Sequence, residues 1–327
     1  MRIFYGAGHE QFKPSELLRH AKLAAKAGFD GICCSDHLQP WWEPGNSGHA
    51  WPWLGALGAS TKDVAFGPAV TPAVKRYHPV LVAQAFATLE EMFPGRVFLG
   101  MGSGESLNES PVGCNWPDSD EQVEMLNEAL GMIRRLWGGE TIATGTDHFP
   151  TKDAKLHTRP DKSPPLYVSA FHEDATKVAA RHGDGLWTLG DPEQAPDLIE
   201  LYRREGGKGE IILQALVSWA KTDEKALEGA RKWKGAQPPE YYVDDWHDPR
   251  AMYEHAEKTI SDDAYKEKAI ISADPSEHVE KLFQLAEMGA STIAVMNCSG
   301  ADPEGAIKTY GEKVLPKLRS AAKKKAA

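Results

Sequence analysis

The chain has 327 residues, 41% apolar and 26% charged, a length and mixture that suit one large barrel or two ordinary globular domains. Its formal net charge of −10 excludes a general nucleic-acid binder, which needs a basic face, and no apolar run is long enough to span a membrane. Two adjacent cysteines (Cys33, Cys34) and two isolated ones (Cys114, Cys298) make neither a disulfide framework nor a zinc spacing, so no metal is expected.

The N-terminus enters a strand-like run, Ile3-Phe4-Tyr5, without a signal-peptide pattern, and a cytoplasmic location is the expectation. Pro14 to Lys26 reads as the first helix, with Leu17, Leu18, Ala21, Ala24 and Ala25 on one face and Gly28 past its end. Gly31 to Ser35 reads as a buried second strand, with Cys33 and Cys34 as small apolar residues. A short helix follows at Leu54 to Ala59. Val64 to Gly67 is the third strand, Pro79 to Met92 a helix, Val97 to Met101 the fourth strand, and Glu121 to Trp137 a long amphipathic helix. Leu166 to Ser169, Gly185 to Leu189, Ile211 to Val217 and Thr292 to Met296 are the remaining strands. Helices are expected at Asp174 to Arg181, Pro192 to Arg204, Thr222 to Lys234, Pro275 to Met288 and Pro303 to Ser320.

Eight strands alternating with helices point to a (β/α)8 TIM barrel, with an open doubly wound sheet as the alternative. No Gly-x-Gly-x-x-Gly follows the first strand, which weakens dinucleotide binding. No repeat or linker divides the chain, so one domain over 1–327 is expected. Two stretches exceed ordinary loop length, near 138–165 and 235–270, and are expected as insertions at the strand C-terminal face.

In such a barrel the active site lies at the strand C-termini. The first strand ends near His9 and Glu10. The second ends at Ser35-Asp36-His37 and runs on to Trp41 and Trp42. The fourth ends at Gly102-Ser103-Gly104-Glu105, with Asn108 one turn later, and the fifth at Ser169-Ala170-Phe171-His172. His37 is the side chain whose ordinary pKa lies nearest neutrality. Strand neighbours point to opposite faces, so Asp36 is expected to orient something other than His37. The small residues before Glu105 let a ligand approach the backbone. Each residue also has a structural reading: His37 as a core histidine, Glu105 as a helix N-terminal acid. Together, an imidazole and a carboxylate at one mouth suit proton transfer coupled to another bond change.

Several motifs, in order, resemble the luciferase-like deazaflavin enzymes: Ser35-Asp36-His37-Leu38-Gln39-Pro40-Trp41, Arg76-Tyr77-His78-Pro79, Val82 to Thr88, and Gly95 to Gly100 running into Gly104-Glu105-Ser106-Leu107-Asn108-Glu109. Within that family they are similar to the F420-dependent glucose-6-phosphate and secondary-alcohol dehydrogenases. The resemblance implies coenzyme F420 as cofactor, a small alcohol or sugar as substrate, and a homodimer. It implies His37 as the base taking the substrate's hydroxyl proton, Glu105 as the acid serving the cofactor, Trp41 as an indole beside the cofactor ring, and Glu10 as a carboxylate near substrate. Asp36, Thr71 and Asn108 match cofactor positions. Pro68 and Ala69 fall behind the ring, where the resemblance implies a non-prolyl cis bond between them. The turn Gly102, Ser103, Gly104 and the strand end Ser169, Ala170 are expected to line the same cofactor. Trp233 and Lys268 match substrate positions.

There are departures. Phosphate-binding relatives carry three basic residues. Here Leu189-Gly190-Asp191-Pro192 stands at the first position, Val243 near the second, and only Lys268 remains, a point charge in place of a bidentate Arg. Phe171-His172 replaces a Gly-rich turn for the cofactor tail. The expectation is an F420-dependent dehydrogenase acting on a carbinol, with an unphosphorylated substrate favoured. The alternatives are an FMN-dependent monooxygenase on the same fold and a non-catalytic deazaflavin carrier.

Overall fold

The structure, a computed structural model, describes residues 1–72 and 75–326, with 321–326 as helical backbone alone. Among these residues, eight parallel strands form the barrel wall. They are β1 (Arg2–Ala7), β2 (Gly31–Cys34), β3 (Ala65–Pro68), β4 (Leu99–Gly102), β5 (Leu166–Ser169), β6 (Gly185–Leu189), β7 (Glu210–Ser218) and β8 (Thr292–Asn297). The wall runs β3-β2-β1-β8-β7-β6-β5-β4. A parallel bridge between Phe66 and Val97, with Phe98 N donating to Phe66 O at 3.0 Å, joins β3 to the approach of β4 and closes the circle. A two-residue strand, Thr71–Pro72, extends β3 and pairs with Met101 and Gly102.

The barrel interior is filled by Phe4, Cys33, Phe98, Tyr167, Trp187, Ile212 and Ala294. Phe4 and Phe98 stack at 5.5 Å between ring centres. Rings of that size fit because glycines stand opposite them. A Cβ on Gly31 would lie 2.6 Å from the Phe4 ring, and one on Gly67 only 2.1 Å from Phe98 O. The outer core lies between the strands and the helical ring, where Leu17, Ile32, Leu54, Phe86, Leu130 and Ile293 are fully buried. The first helix, Pro14–Ala27, ends on Gly28 in the left-handed region (φ 98°), as its sequence position required.

Several element bounds differ from expectation. The fourth strand begins at Leu99, because the residues before it are spent elsewhere: Arg96 O and Phe98 N bond Phe66 across the closing bridge, and Val97 N donates to Glu90 Oε2 at 3.3 Å. The helix expected to reach Lys234 stops at Ala230 and continues as a 3-10 turn, Arg231–Ala236. The last helix is interrupted by a π turn at Tyr310–Val314. The stretch 138–165 carries a hairpin, Ile142–Thr144 with Lys152–Ala154. The stretch 235–270 carries a turn, Pro239–Tyr242, and two helices, Pro249–Thr259 and Asp262–Lys268. The non-prolyl cis bond is Ala69–Val70, one residue beyond the expected Pro68–Ala69. The reason is local: Ala69 N donates to Cys34 O at 2.7 Å, so the Pro68–Ala69 peptide still belongs to the β2–β3 ladder. Among the described residues no helix is long and apolar enough to cross a membrane.

Gly67 sits where the barrel closes, with no room for a side chain. Gly67→Ala is expected to lower stability by about 1–3 kcal/mol or more, because the clash is with backbone and cannot be relieved by a rotamer change. A denaturation midpoint equal to wild type would show that the seam has slack.

Candidate active site

His37 stands just past the end of β2, its ring between two carboxylates. Its Nδ1 is 3.7 Å from Glu10 Oε1, and its Nε2 is 3.4 Å from Glu105 Oε2. Glu10 arrives from the end of β1 and is buried. Ser35 holds it there: Ser35 Oγ donates to Glu10 Oε2 at 2.7 Å and accepts from His9 N at 2.9 Å. Glu105 precedes the single-turn helix Ser106–Glu109, after Gly104 has taken φ 87°.

Asn108 ties the group together. Its Oδ1 accepts from Leu38 N at 2.8 Å and Gln39 N at 3.2 Å. Both partners are backbone donors, so they settle which way the amide points. Its Nδ2 therefore faces Glu105 Oε2 at 2.9 Å and His37 Nδ1 at 3.3 Å. His37 Nδ1 also lies 3.3 Å from Gln39 O, so it has a donor and an acceptor at equal distance, and its neighbours ask for opposite tautomers. The ring as a whole is flanked by both carboxylates, one at each nitrogen.

Asp36 faces away from His37, as strand alternation required. It is fully buried and accepts from Thr71 Oγ1 at 2.7 Å and Tyr77 OH at 3.2 Å. Arg76 Nη2 reaches both the Asp36 carboxylate, at 3.5 Å, and the Asp36 carbonyl oxygen, at 2.6 Å. Trp51 Nε1 donates to Thr71 Oγ1 at 3.2 Å. Beside this network, Ala69, Gly102, Ser103, Gly104, Ser169 and Ala170 bring small side chains or none to adjoining strand ends. A Cβ on Gly102 would lie 2.8 Å from Val70 Cγ2, so the close packing there needs glycine.

On the other side, Trp41 is buried with its ring 5.1 Å from His37. Tyr242, from the second insertion, lies 5.6 Å from Trp41 and 5.5 Å from Phe171. These rings form an arc from His37 to the end of β5. Burial pushes the Tyr242 hydroxyl pKa up, and the Glu105 and Glu10 carboxylates add to that. The hydroxyl donates to Ala236 O at 2.7 Å.

Comparison with known proteins decides the family. The family model described as luciferase-like monooxygenase matches residues 1–292. The chain belongs to the luciferase-like family. It is 38% identical to an F420-dependent glucose-6-phosphate dehydrogenase of Beutenbergia cavernae over 98% of both chains. The corresponding enzyme of Mycolicibacterium smegmatis is 32% identical over 98% of this chain and 99% of that one. A solved F420-dependent secondary alcohol dehydrogenase, in complex with an F420-acetone adduct, superposes with a TM-score of 0.92. It has 33% identity and covers 97% of this chain and 99% of that one.

In this luciferase-like chain, His37, Glu105, Glu10, Trp41 and Asn108 come together at one mouth, with Asp36 and Thr71 directly behind. Trp233 is one layer removed. Its ring packs on Trp42 at 5.2 Å and its Nε1 donates to Gln11 Oε1 at 3.1 Å. Lys268 is an exposed residue at the end of its helix, next to buried Ala269, and is not among the residues touching His37. Four contributors carried no assigned role in the sequence: Ser35, Arg76, Glu109 and Tyr242. The first three lie inside the matching motifs. Tyr242 lies in the stretch where neither periodicity nor resemblance gave a reading.

His9 is fully buried against Trp53, and its ring nitrogens have no hydrogen-bond partner. Burial, then the nearby His37 and His49, push its pKa down from 6.5 to about 4. The folded protein therefore binds fewer protons than the unfolded chain between those values, and stability falls as pH drops through that window. His9→Phe is expected to lose less melting temperature than wild type between about pH 7 and pH 5. An equal loss in both proteins would exclude His9 as a source of acid sensitivity. Asn108→Ala strips two backbone donors and Glu105 of their partner, and an unsatisfied buried group costs about 1–3 kcal/mol. The expected result is lower stability together with a lower turnover number. Unchanged turnover would separate Asn108 from the His37–Glu105 geometry.

Proposed function

We propose that this protein is an F420-dependent oxidoreductase that oxidises a CH–OH donor, with an unphosphorylated carbinol as its preferred substrate. The observation that carries the reading is His37 held between Glu10 and Glu105 at the barrel mouth, in a chain similar over nearly its whole length to two kinds of F420-dependent dehydrogenase.

The residues present fit such a cofactor. The strand ends around Ala69, Gly102 and Ser169 offer small side chains against which a flat ring system can lie, with the buried polar groups of Asp36, Thr71 and Asn108 beneath. When bound, coenzyme F420 supplies a two-electron acceptor for hydride. His37 takes the hydroxyl proton of the carbinol, and Glu10 and Glu105 stabilise the charge the ring gains. Glu105, half-buried beside Gly104, faces the opposite side of the imidazole from Glu10. Trp41 and Tyr242 exclude water from the apolar side of the mouth, and Trp233 backs that wall through Trp42. A carrier that bound the cofactor without turnover would leave this imidazole between two carboxylates without a task.

The preference for a neutral substrate rests on the cations. Lys234 is buried and paired with Asp262 and Glu257. Arg231 pairs with Asp262 at 3.0 Å, and Arg250 with Glu43 at 3.5 Å. Asp191 accepts from the backbone of Glu193, and Asp244 and Asp245 stand exposed beside Val243. These cations are paired with carboxylates, so a phosphate dianion would find few of them free. A homodimer in the cytoplasm completes the proposal, resting on the resemblance.

His37→Ala is expected to lower turnover by ~10²–10⁴-fold, the usual effect of removing a general base, with cofactor affinity nearly unchanged. Turnover equal to wild type would remove His37 from the mechanism. Specificity constants for propan-2-ol, glucose and glucose-6-phosphate, read from bleaching of the oxidised cofactor, test the substrate reading. A neutral carbinol should lead. A lead for the phosphate ester that vanishes in Lys268→Ala would overturn the preference. Product formed with FMN, and only in the presence of oxygen, would favour the monooxygenase reading instead.

A further inference from the structure

Beneath the mouth lies a second charged group to which the proposed reaction assigns no proton. Arg76 and Glu109 are its centre, both with side chains almost wholly out of solvent. Arg76 Nη2 donates to Asp36 O at 2.6 Å, the carbonyl of the peptide that leads into His37. The backbone N–H of Arg76 donates to Glu109 Oε2, and Arg76 Nε stands 3.5 Å from Glu109 Oε1. Glu109 closes the single-turn helix that follows Glu105, and its backbone N–H donates to Glu105 O at 3.2 Å. One guanidinium thus touches the backbone that carries His37 and the helix that carries Glu105. The Tyr77 ring lies 4.5 Å from the guanidinium carbon and limits its sideways movement.

We propose that Arg76 and Glu109 form a positioning clamp that holds His37 and Glu105 at their working separation. The clamp rests on the catalytic reading of those two residues, but its own geometry is independent of any ligand. Neither clamp residue touches the His37 ring. The helix Ser106–Glu109 has a single turn and could not fix Glu105 by itself. The arrangement also carries unused bonding capacity. Arg76 Nε and Glu109 Oε1 are buried and have no hydrogen-bond partner at their 3.5 Å separation, so a small closing shift would turn the ion pair into a direct hydrogen bond.

The charge on the clamp changes near neutral pH. Burial raises the Glu109 carboxyl from 4.5 to about 7, Arg76 and its backbone N–H oppose the rise, and Glu105 and Asp36 add to it. Below that value Glu109 is neutral and the Arg76 guanidinium is paired with Asp36. Above it Glu109 is an anion, and one guanidinium faces two buried carboxylates, with Tyr77 OH also on Asp36. A carboxyl raised in the folded state costs stability as pH climbs from its ordinary value through its folded value.

Two substitutions test the clamp. Glu109→Gln keeps an acceptor for the Arg76 backbone and removes the charge. Arg76→Lys keeps the charge and loses the fork that spans two partners. Each is expected to lower turnover of alcohol by about 10- to 100-fold, the scale of a misplaced catalytic pair, with KM little changed. Glu109→Gln should also lose a turnover inflection near neutral pH that wild type shows. In the cofactor-free protein, wild type should lose melting temperature between about pH 5 and pH 8, and Glu109→Gln should lose less. Glu109→Asp, which keeps the charge on a shorter arm, should keep the inflection at reduced turnover, and it carries the test if Glu109→Gln fails to fold. Folded variants with wild-type turnover and pH profile would overturn the clamp. So would equal melting-temperature losses, a readout that stands even if no alcohol is oxidised. Wild-type protein that turns over no alcohol would overturn the functional reading and leave the melting comparison to decide the clamp.

Discussion

The site depends on an electrostatic constraint. An imidazole stands between two carboxylates at the edge of a water-poor mouth, and each carboxylate must be kept from collapsing onto it. The protein does this with neutral hydrogen-bonding groups. Ser35 holds Glu10, and Asn108 holds Glu105 while presenting the same amide to His37. Neither tether brings a cation beside the ring, so the nearest charges to His37 are negative.

The fold meets this demand through barrel geometry. Glu10, His37 and Glu105 follow β1, β2 and β4, three strands that end on the same face because all eight run parallel. Large rings inside the barrel set the spacing of those strands, and glycines opposite Phe4 and Phe98 make room for the rings. The packing of the wall therefore reaches the chemistry. A change at Gly31 or Gly67 would move a strand end, and with it a carboxylate.

Much of this was legible in the sequence. The alternation of short apolar runs with helical patterns gave the barrel. The placement of Asp36 opposite His37 followed from strand period alone. The residues at the mouth emerged by asking what stands at each strand's end. Other parts were not legible, for physical reasons. The exit of β3 is set by which peptide stays in the ladder to Cys34, a pairing that no local pattern records, and the expected cis bond was misplaced by one residue. Arg76 and Glu109 lie inside the matching motifs, but their pairing is visible only once the chain is folded and both are buried. The second insertion has three short elements and weak periodicity, so Tyr242 could not be placed beside Trp41. The tryptophans divide the work around the mouth, and Trp41 is the one packed on His37. Trp53 lies under His9 with its Nε1 on Pro14 O, and Trp51 braces Thr71.

The central claim is that hydride leaves a carbinol carbon while His37 holds the hydroxyl proton. Its most direct test is isotopic. The protein is mixed, without oxygen, with oxidised coenzyme F420 and propan-2-ol deuterated at the carbinol carbon, and the products are analysed by mass spectrometry. The account predicts one deuterium in the reduced cofactor and none exchanged into water. Deuterium released to solvent, or product that forms only when oxygen is admitted, would contradict it.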